Sequence, residues 1–333
     1  MTIKKTIMNH LRTSLILAAL LSVTIAVAQS QTTAFEFLKL PESAHASALA
    51  GAAVALPEDN PTLTSVNPAL LGNIHGRSAS LAYMNYLSDT QVGHARFSDI
   101  AGSRASYSFS ADFVGYGETD MTAPDASVQG RFSCKDMAFA GSFSYLLSDN
   151  WNGGLTGRIV YSHYGTYTSV ALDADLGLAW FNDDGSFSAG AAVLNLGGQV
   201  KPFENEHEKL PADIVAGISY TLQHAPIRLN LGMHDLNHWN SDYYYSPDKE
   251  LTFAQILGRH FMVGADFNFS EQFYVSAGCH LQRRAELAQN GGRGLEGFSI
   301  GTGLNINKLS LGLSFGRYQV STSSLLLNFA LSL

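Results

Sequence analysis

The sequence predicts an all-β transmembrane fold: a 14-stranded antiparallel outer-membrane β-barrel with an N-terminal plug segment. Three observations lead there. Apolar residues alternate with polar or tiny ones, at period two, along most of the chain. The alternating stretches are close to the roughly 9–11 residues that a tilted strand needs to cross a bilayer. Short and long connections follow one another, as in barrels whose turns face one compartment and whose loops face the other.

Composition agrees. The 333 residues are 46% hydrophobic and only 14% charged, against roughly 25% charged in a soluble domain. With 31 glycines, 19 Phe, 14 Tyr and 3 Trp, the chain is neither disordered nor a charged coiled coil. A formal net charge of −8 with no basic block argues against a nucleic-acid partner. Two cysteines, Cys134 and Cys279, are too few for a disulfide scaffold or a structural zinc site.

Residues 1–28 read as a cleaved signal peptide that takes the chain across the inner membrane. Lys4, Lys5 and Arg12 precede an apolar run over 15–28, and the run ends in Ala26-Val27-Ala28, small residues where a signal peptidase reads. The run is short for a membrane helix, which needs roughly 20 apolar residues. The alternative is an uncleaved signal anchor.

The barrel is expected over 77–333. Its strands fall at roughly 78–87, 90–98, 104–115, 136–147, 152–163, 168–181, 186–196, 212–222, 226–235, 260–269, 272–282, 297–306, 308–317 and 323–333. In the last, Leu325, Leu327, Phe329, Leu331 and Leu333 share a face opposite Asn328, Ala330 and Ser332. Just before it, Leu309, Leu311, Leu313 and Phe315 oppose Ser310, Gly312, Ser314 and Gly316. The polar faces carry Gly, Ser, Asn and single charges instead of the Lys and Glu of a soluble sheet. Such residues suit the inside of a narrow barrel, and lipid forbids an open sheet edge.

Asp112, Arg158, Asp173, Asp175, Arg228 and Asp266 fall on the inner face, either paired with one another and the plug or selecting a solute. Tyr83, Tyr86, Trp151, Tyr161, Tyr164, Tyr167 and Trp180 lie near strand ends and read as interfacial girdles. Tight connections at 148–151, 182–185, 223–225, 270–271 and Asn307 face the periplasm. Asn182-Asp183-Asp184-Gly185 is hairpin chemistry, since Asn, Asp and Gly tolerate positive φ. The longer connections at 115–135, 197–211, 236–259 and 283–296 face outward.

Ahead of the barrel stands 29–76, which contains FEFLKLPESAHASALAGAAVALPEDNPTLTSVNPALLGNIHG. It carries helix and turn signals without clean alternation and is too apolar for a solvated tail. Wide barrels are often plugged, so this segment is expected in the lumen or under the periplasmic rim.

These residues resemble a known family. A helix-like S-A-x-A-x-A-L-A-G-A stretch, then Asp59-Asn60-Pro61, then Asn67-Pro68-Ala69 with Leu70-Leu71, then fourteen strands, is similar to the FadL/PorV-type outer-membrane barrels. The likeness is greatest to the PorQ-like barrels of the type IX secretion system of Bacteroidota, over 35–71 and 259–307. Asn67, Pro68 and Ala69 are its plug motif. The chain departs from the pattern at His45, where the family tends to have Arg. It departs also at Ala50-Gly51, where Gly-Gly is usual, and at Ser65-Val66, where an aromatic is common. The resemblance implies a non-enzymatic component of protein secretion that anchors a surface partner of the attachment complex, beside PorZ-like, PorU and PorV proteins. Its FadL side implies the alternative, a passive transporter of hydrophobic small molecules.

Candidate site residues are few. The 236–259 loop is unusually aromatic, with Trp239, Tyr243, Tyr244, Tyr245 and Phe253, and reads as partner-docking material or as a lid over the barrel mouth. Arg283, Arg284 and Arg293 sit on an outer loop, where they can meet lipopolysaccharide phosphates, other outer-membrane lipid or a protein partner. His234, Asp235 and His238 lie where a strand becomes a loop, so their spacing loses its helical meaning and reads as a polar rim, not a metal site. No catalytic set, cofactor motif or metal motif is visible: there is no G-x-S-x-G, Walker loop or H-E-x-x-H, and the chain is expected not to be an enzyme.

Overall fold

The computed structural model describes residues 33–333, apart from 88–89, 124, 126, 247–249, 290–293 and 319–322. The signal-peptide reading of 1–28 lies outside the described residues.

Fourteen antiparallel strands form a closed barrel, each paired with its neighbours in sequence and β1 with β14. They are β1 Ser78–Asn85, β2 Gln91–Ala101, β3 Ala105–Thr122, β4 Val128–Ser148, β5 Trp151–Tyr164, β6 Tyr167–Phe181 and β7 Phe187–Lys201. The second half is β8 Asp213–Thr221, β9 Ile227–Met233, β10 Phe261–Asn268, β11 Phe273–His280, β12 Phe298–Ile306, β13 Leu309–Gly316 and β14 Ser324–Ser332. The seam runs from Ser78↔Ser332 to Asn85↔Leu325, so no backbone edge is left for lipid to meet. Alternation assigns the faces: Leu325, Leu327, Phe329 and Leu331 of β14 are exposed on the outside, while Ser324 and Leu326 are buried within.

Two expectations change. The stretch 115–135 is not an outer loop: β3 and β4 run on through it, at 18 and 21 residues, as a two-stranded ribbon that outlasts any bilayer. It pairs across register shifts at Gly115/Glu118 and Met121/Thr122. Both its faces meet water, with Arg131 bridging Glu118 and Asp120 in the open, so the lipid-type alternation that marks the other strands is lost. Likewise β7 continues to Lys201, into the expected 197–211 loop. The aromatic girdle also divides. Trp151 and Trp180 pair directly on the outer surface, with Phe187 and Tyr220 continuing the row. Tyr164 and Tyr86 turn inward instead: Tyr164 donates to Asp136, and Tyr86 packs on Tyr318.

The N-terminal segment fills the lumen. Its sequence punctuation becomes capping. Ser43 accepts from the Ala46 amide to start helix α1, Ala44–Ala48. Asn60 and Asn67 each cap a 3₁₀ turn, Pro61–Ser65 and Pro68–Asn73, with proline at the first position, where its missing N–H costs nothing. Leu49, Leu56, Leu63, Leu70 and Leu71 are all 0% exposed, each contributing about 2 kcal/mol of burial. Farther along the plug, Phe35 and Phe37 pack on inward Met84, Val92, Val114 and Val160.

The wall is cut to receive this segment. Every strand from β5 to β13 presents an inward glycine to it: Gly154, Gly177, Gly190, Gly217, Gly232, Gly264, Gly278, Gly301 and Gly312. A Cβ on Gly278 would lie 2.7 Å from the Ala50 amide nitrogen, and one on Gly301 would lie 2.6 Å from Ala48 Cβ. The neighbour at Gly154 is the Pro68–Ala69 peptide itself. Backbone cannot step aside as a side chain can. Gly278→Leu is therefore expected to cost about 3 kcal/mol or more and to expose the plug to protease, whereas lipid-facing Gly157→Ala, with open space around it, stays near neutral. Limited proteolysis of the folded barrel in detergent reads the difference.

Candidate functional site

The plug divides the lumen into two cavities. The outer one, of about 550 Å³, has a floor of plug residues that includes Leu38, Ala46, Ser47 and Val54, under walls from Leu194, Val215 and Met262. The periplasmic one, of about 680 Å³, is lined by Ala44, His45, Glu58, Arg228, Tyr274 and Asn328 among others. Within α1, Ala46 and Ser47 face the first cavity, and Ala44 and His45 the second. One helical turn stands between them. A further concavity, of about 960 Å³, lies on the lipid side, where Gly93, Ala95 and Ala111 leave room beside Leu81, Leu327 and Phe329.

Buried ion pairs hold that turn in place. His45 sends Nδ1 to Glu58, at 2.8 Å, and Nε2 to Asp266 of β10, also at 2.8 Å. Carboxylates only accept, so both ring nitrogens carry protons and His45 is an imidazolium. Arg228 of β9 bridges the same two acids, reaching Asp266 at 2.8 Å and bonding Glu58 closely. Ser276 and Asn230 complete the four bonds that Asp266 accepts, and the His45 ring stacks on Tyr274 with centroids 4.1 Å apart. This explains the departure at His45: the imidazolium supplies the cation that an arginine would. Two further ties flank it. Glu42 meets Arg96 at 2.7 Å, and the Asn328 side chain binds the plug backbone at Glu42 and Ala44.

The inward charges are paired. Arg158 binds Asp173 and Asp175 at 2.9 Å each and Asn195 at 3.0 Å, and Asp112 meets His94 at 2.9 Å. Asn67 is fully buried at the plug–wall contact: it caps Ala69 and donates to Val54 and to Leu178 of β6. Pro68 and Ala69 press on Gly154 and Gly177.

The outer-loop residues separate into two groups. Trp239 and Phe253 stack 5.7 Å apart and are 43% and 68% exposed; Tyr245 is exposed too. Phe253 opens helix α2, Phe253–Arg259, behind a capping box from Thr252 and Gln255. Tyr244 is buried and donates to the His238 carbonyl, whereas Tyr243 stays partly exposed while its hydroxyl reaches in to donate to Asp235. Arg283 lies 4.1 Å over the Tyr318 ring and Arg284 4.9 Å over Phe298, both on helix α3, Leu281–Gln289. Arg293 lies outside the described residues. Sequence reasoning missed His45 and Glu58 as ligands of the wall, and Asp213, which the fold sets beside His234 and Asp235. The S-A-x-A pattern drew the eye to the small residues; the lone His inside it carried the signal.

His45 and Glu58 set a pH window. Burial opposes charge on His45, but Glu58 and Asp266 outweigh it and raise its pKa from 6.5 to about 9. Burial likewise opposes ionisation of Glu58, but His45 and Arg228 outweigh it and lower its pKa from 4.5 to about 2. A raised histidine contributes fully below 6.5 and is lost as pH passes about 9, whereas a depressed acid contributes above 4.5 and is lost as pH falls through about 2. Plug protection against protease should thus be greatest between pH 4.5 and 6.5 and weaken above about 9. His45→Ala should cost about 3–5 kcal/mol, because it strands two acids on one arginine, and should flatten the alkaline limb.

The chain matches no protein-family model and no curated protein sequence. Solved structures share its fold. It is similar to the toluene transporter TbuX of Ralstonia pickettii, at 13% identity and TM-score 0.58, over 88% of this chain and 99% of that one. It is similar to the toluene transporter TodX of Pseudomonas putida, at 12% identity and TM-score 0.55, over 90% and 99%. The monoaromatic hydrocarbon channel CymD gives 13%, 0.55, 90% and 99%. What is shared is the fold, a closed antiparallel β-barrel.

Proposed function

We propose that this chain is a non-enzymatic outer-membrane conduit for small hydrophobic molecules, with the plug as its gate. The observation that carries the reading is the single turn of α1 between two cavities at opposite ends of the lumen. Both have the size of small-ligand sites. The outer one offers Leu38, Val54, Leu194, Val215 and Met262 to an apolar solute. A solute there needs the α1 turn to shift, and the His45 pairs to Glu58 and Asp266 fix where that turn sits. The solved barrels of the same fold named as hydrocarbon transporters lend the reading support, as does the FadL side of the sequence resemblance.

A second reading, a surface anchor in the type IX attachment complex, is favoured by different features. The β3–β4 ribbon and the stacked Trp239 and Phe253 stand on the outer side, exposed and rigidly based, as a docking surface for a PorZ-like partner beside PorU and PorV would be.

One pair of assays separates them. In a host lacking its own hydrocarbon uptake, expression should raise entry of labelled toluene or oleate several-fold, and Val215→Trp, which fills the outer cavity, should abolish at least four-fifths of the gain. Uptake equal to the empty vector would refute the conduit. If mild-detergent extracts then yield a co-purifying secretion component that Trp239→Ala with Phe253→Ala releases, the anchor reading replaces it.

A further inference from the structure

We infer that the lipid-facing wall carries a binding site for the phosphate of an outer-leaflet glycolipid, formed by Lys135, His163 and Lys201 with the Thr168 hydroxyl. The four residues come from four consecutive strands. Lys135 of β4 lies directly opposite His163 of β5, and His163 directly opposite Thr168 of β6. From β7, Lys201 leans back until its ammonium group donates to the Thr168 hydroxyl at 2.5 Å. His163 thus stands between two lysines. Their neighbours along the strands, Asp136, Ser162 and Ser169, are buried on the lumen side, so the lysine row faces out.

Height in the membrane identifies the partner. At the other end of the same strands Trp151 and Trp180 oppose each other and mark the periplasmic interface. Twelve residues separate Trp151 from His163 on β5, and Trp180 from Thr168 on β6. At about 3.3 Å per residue and a tilt of roughly 40°, the climb is about 30 Å, the thickness of the hydrocarbon core. The outward positions between them on β5 are Gly153, Leu155, Gly157, Ile159 and Tyr161, with no charge. The lysine row therefore stands at the headgroups of the outer leaflet, where the phosphate-bearing lipid of an outer membrane is a glycolipid. Beneath it Gly141 opposes Gly157, with Ala174 next, a shallow hollow in which an acyl chain can lie. A free phosphate would gain nothing from that band.

The protein leaves these cations unanswered. Among the described residues neither lysine meets a carboxylate, and the His163 ring has no hydrogen-bond partner. Asp136 points into the lumen, where Tyr116, Ser162 and Tyr164 donate to it. Glu118 and Asp120 of the ribbon pair with Arg131. Glu204, Glu206 and Glu208, on the connection after β7, pair with neither lysine. Two ammonium groups gathered about one imidazole repel unless an anion joins them, and the ring can donate to that anion whether neutral or charged. Lysine ammonium and phosphate then meet in charge-assisted hydrogen bonds. A lone lysine here would only reach up to the headgroups. The grouping marks a site, because Gly115, Gln91, Asn85 and Leu325 continue the same row onto β3, β2, β1 and β14 without a charge. The site stands apart from helix α3, whose Arg283 and Arg284 lie over Tyr318 and Phe298. It serves whatever passes through the lumen.

The test uses the full barrel purified in a zwitterionic detergent and titrated with lipid A, with bound lipid counted by native mass spectrometry. One lipid A per chain at micromolar concentration is expected, with phosphatidylglycerol, phosphatidylcholine and inorganic phosphate each retained at least tenfold less. Lys135→Gln with Lys201→Gln should weaken lipid A binding at least tenfold. Lys308→Gln, which removes an exposed lysine at a periplasmic turn, should leave it unchanged. Heat-modifiable gel mobility shows that each variant is folded. Should the double variant misfold, Lys201→Gln alone serves and should weaken binding at least threefold. No retained lipid A, equal binding by the Lys135 and Lys201 variants, or an equal loss in Lys308→Gln would overturn the site. Equal retention of phosphatidylglycerol or of inorganic phosphate would overturn the glycolipid as its occupant.

Discussion

Hydrocarbon offers no partner to an unpaired N–H or C=O, and from that the rest of this structure follows. The constraint forces β1 onto β14 and sets a closed ring of strands. A ring this wide encloses more volume than inward side chains fill, so something must occupy the lumen. Here the chain's own N-terminal segment does so. Because its backbone passes so near the wall, the wall answers with hydrogen in place of side chains along β5 to β13. Closure, filling and glycine placement are one chain of necessity.

Filling the lumen with polypeptide creates an electrostatic problem in turn. A segment that lies inside the wall must be held by contacts specific enough to fix its depth. Leucine burial supplies adhesion without register. Register comes from directional groups: the imidazolium of His45 between Glu58 and Asp266, and Asn67 bonded at once to its own turn, to Val54 and to Leu178. Asp266 on the wall takes its four bonds from both plug and barrel, and Glu58 of the plug takes an arginine from the wall, so neither half of this cluster is electrically complete alone.

The sequence was legible where one physical rule governed many residues. Lipid outside and a tight lumen inside impose period two, and all fourteen strand positions could be read, with ends mostly within a few residues of those observed. The Asn-Pro pairs were legible only as motif residues of the resemblance; the structure shows that each asparagine caps the 3₁₀ turn its proline opens. Legibility failed where the rule stopped. Beyond the bilayer both faces of 115–135 are wet, so alternation vanished and a ribbon read as a loop. Tyr164 and Tyr86 were assigned by their nearness to strand ends, but Asp136 and Tyr318 drew them inward. Asp213 is far in sequence from His234, and only the β8–β9 pairing makes them neighbours. Residues in the site at α1 escaped because a single histidine among alanines has no period to betray it.

The glycine row has a bearing on how such a protein changes over time. Where an ordinary core absorbs a larger residue by repacking soft side chains, here bulk gained on a strand meets main chain, and the main chain in question belongs to a different stretch of the same gene. Substitutions at Gly154 or Gly278 and alterations near Pro68 or Leu49 are therefore bound to one another, while the greasy exterior drifts freely so long as it stays greasy. The stopper and its bottle must evolve as a matched set.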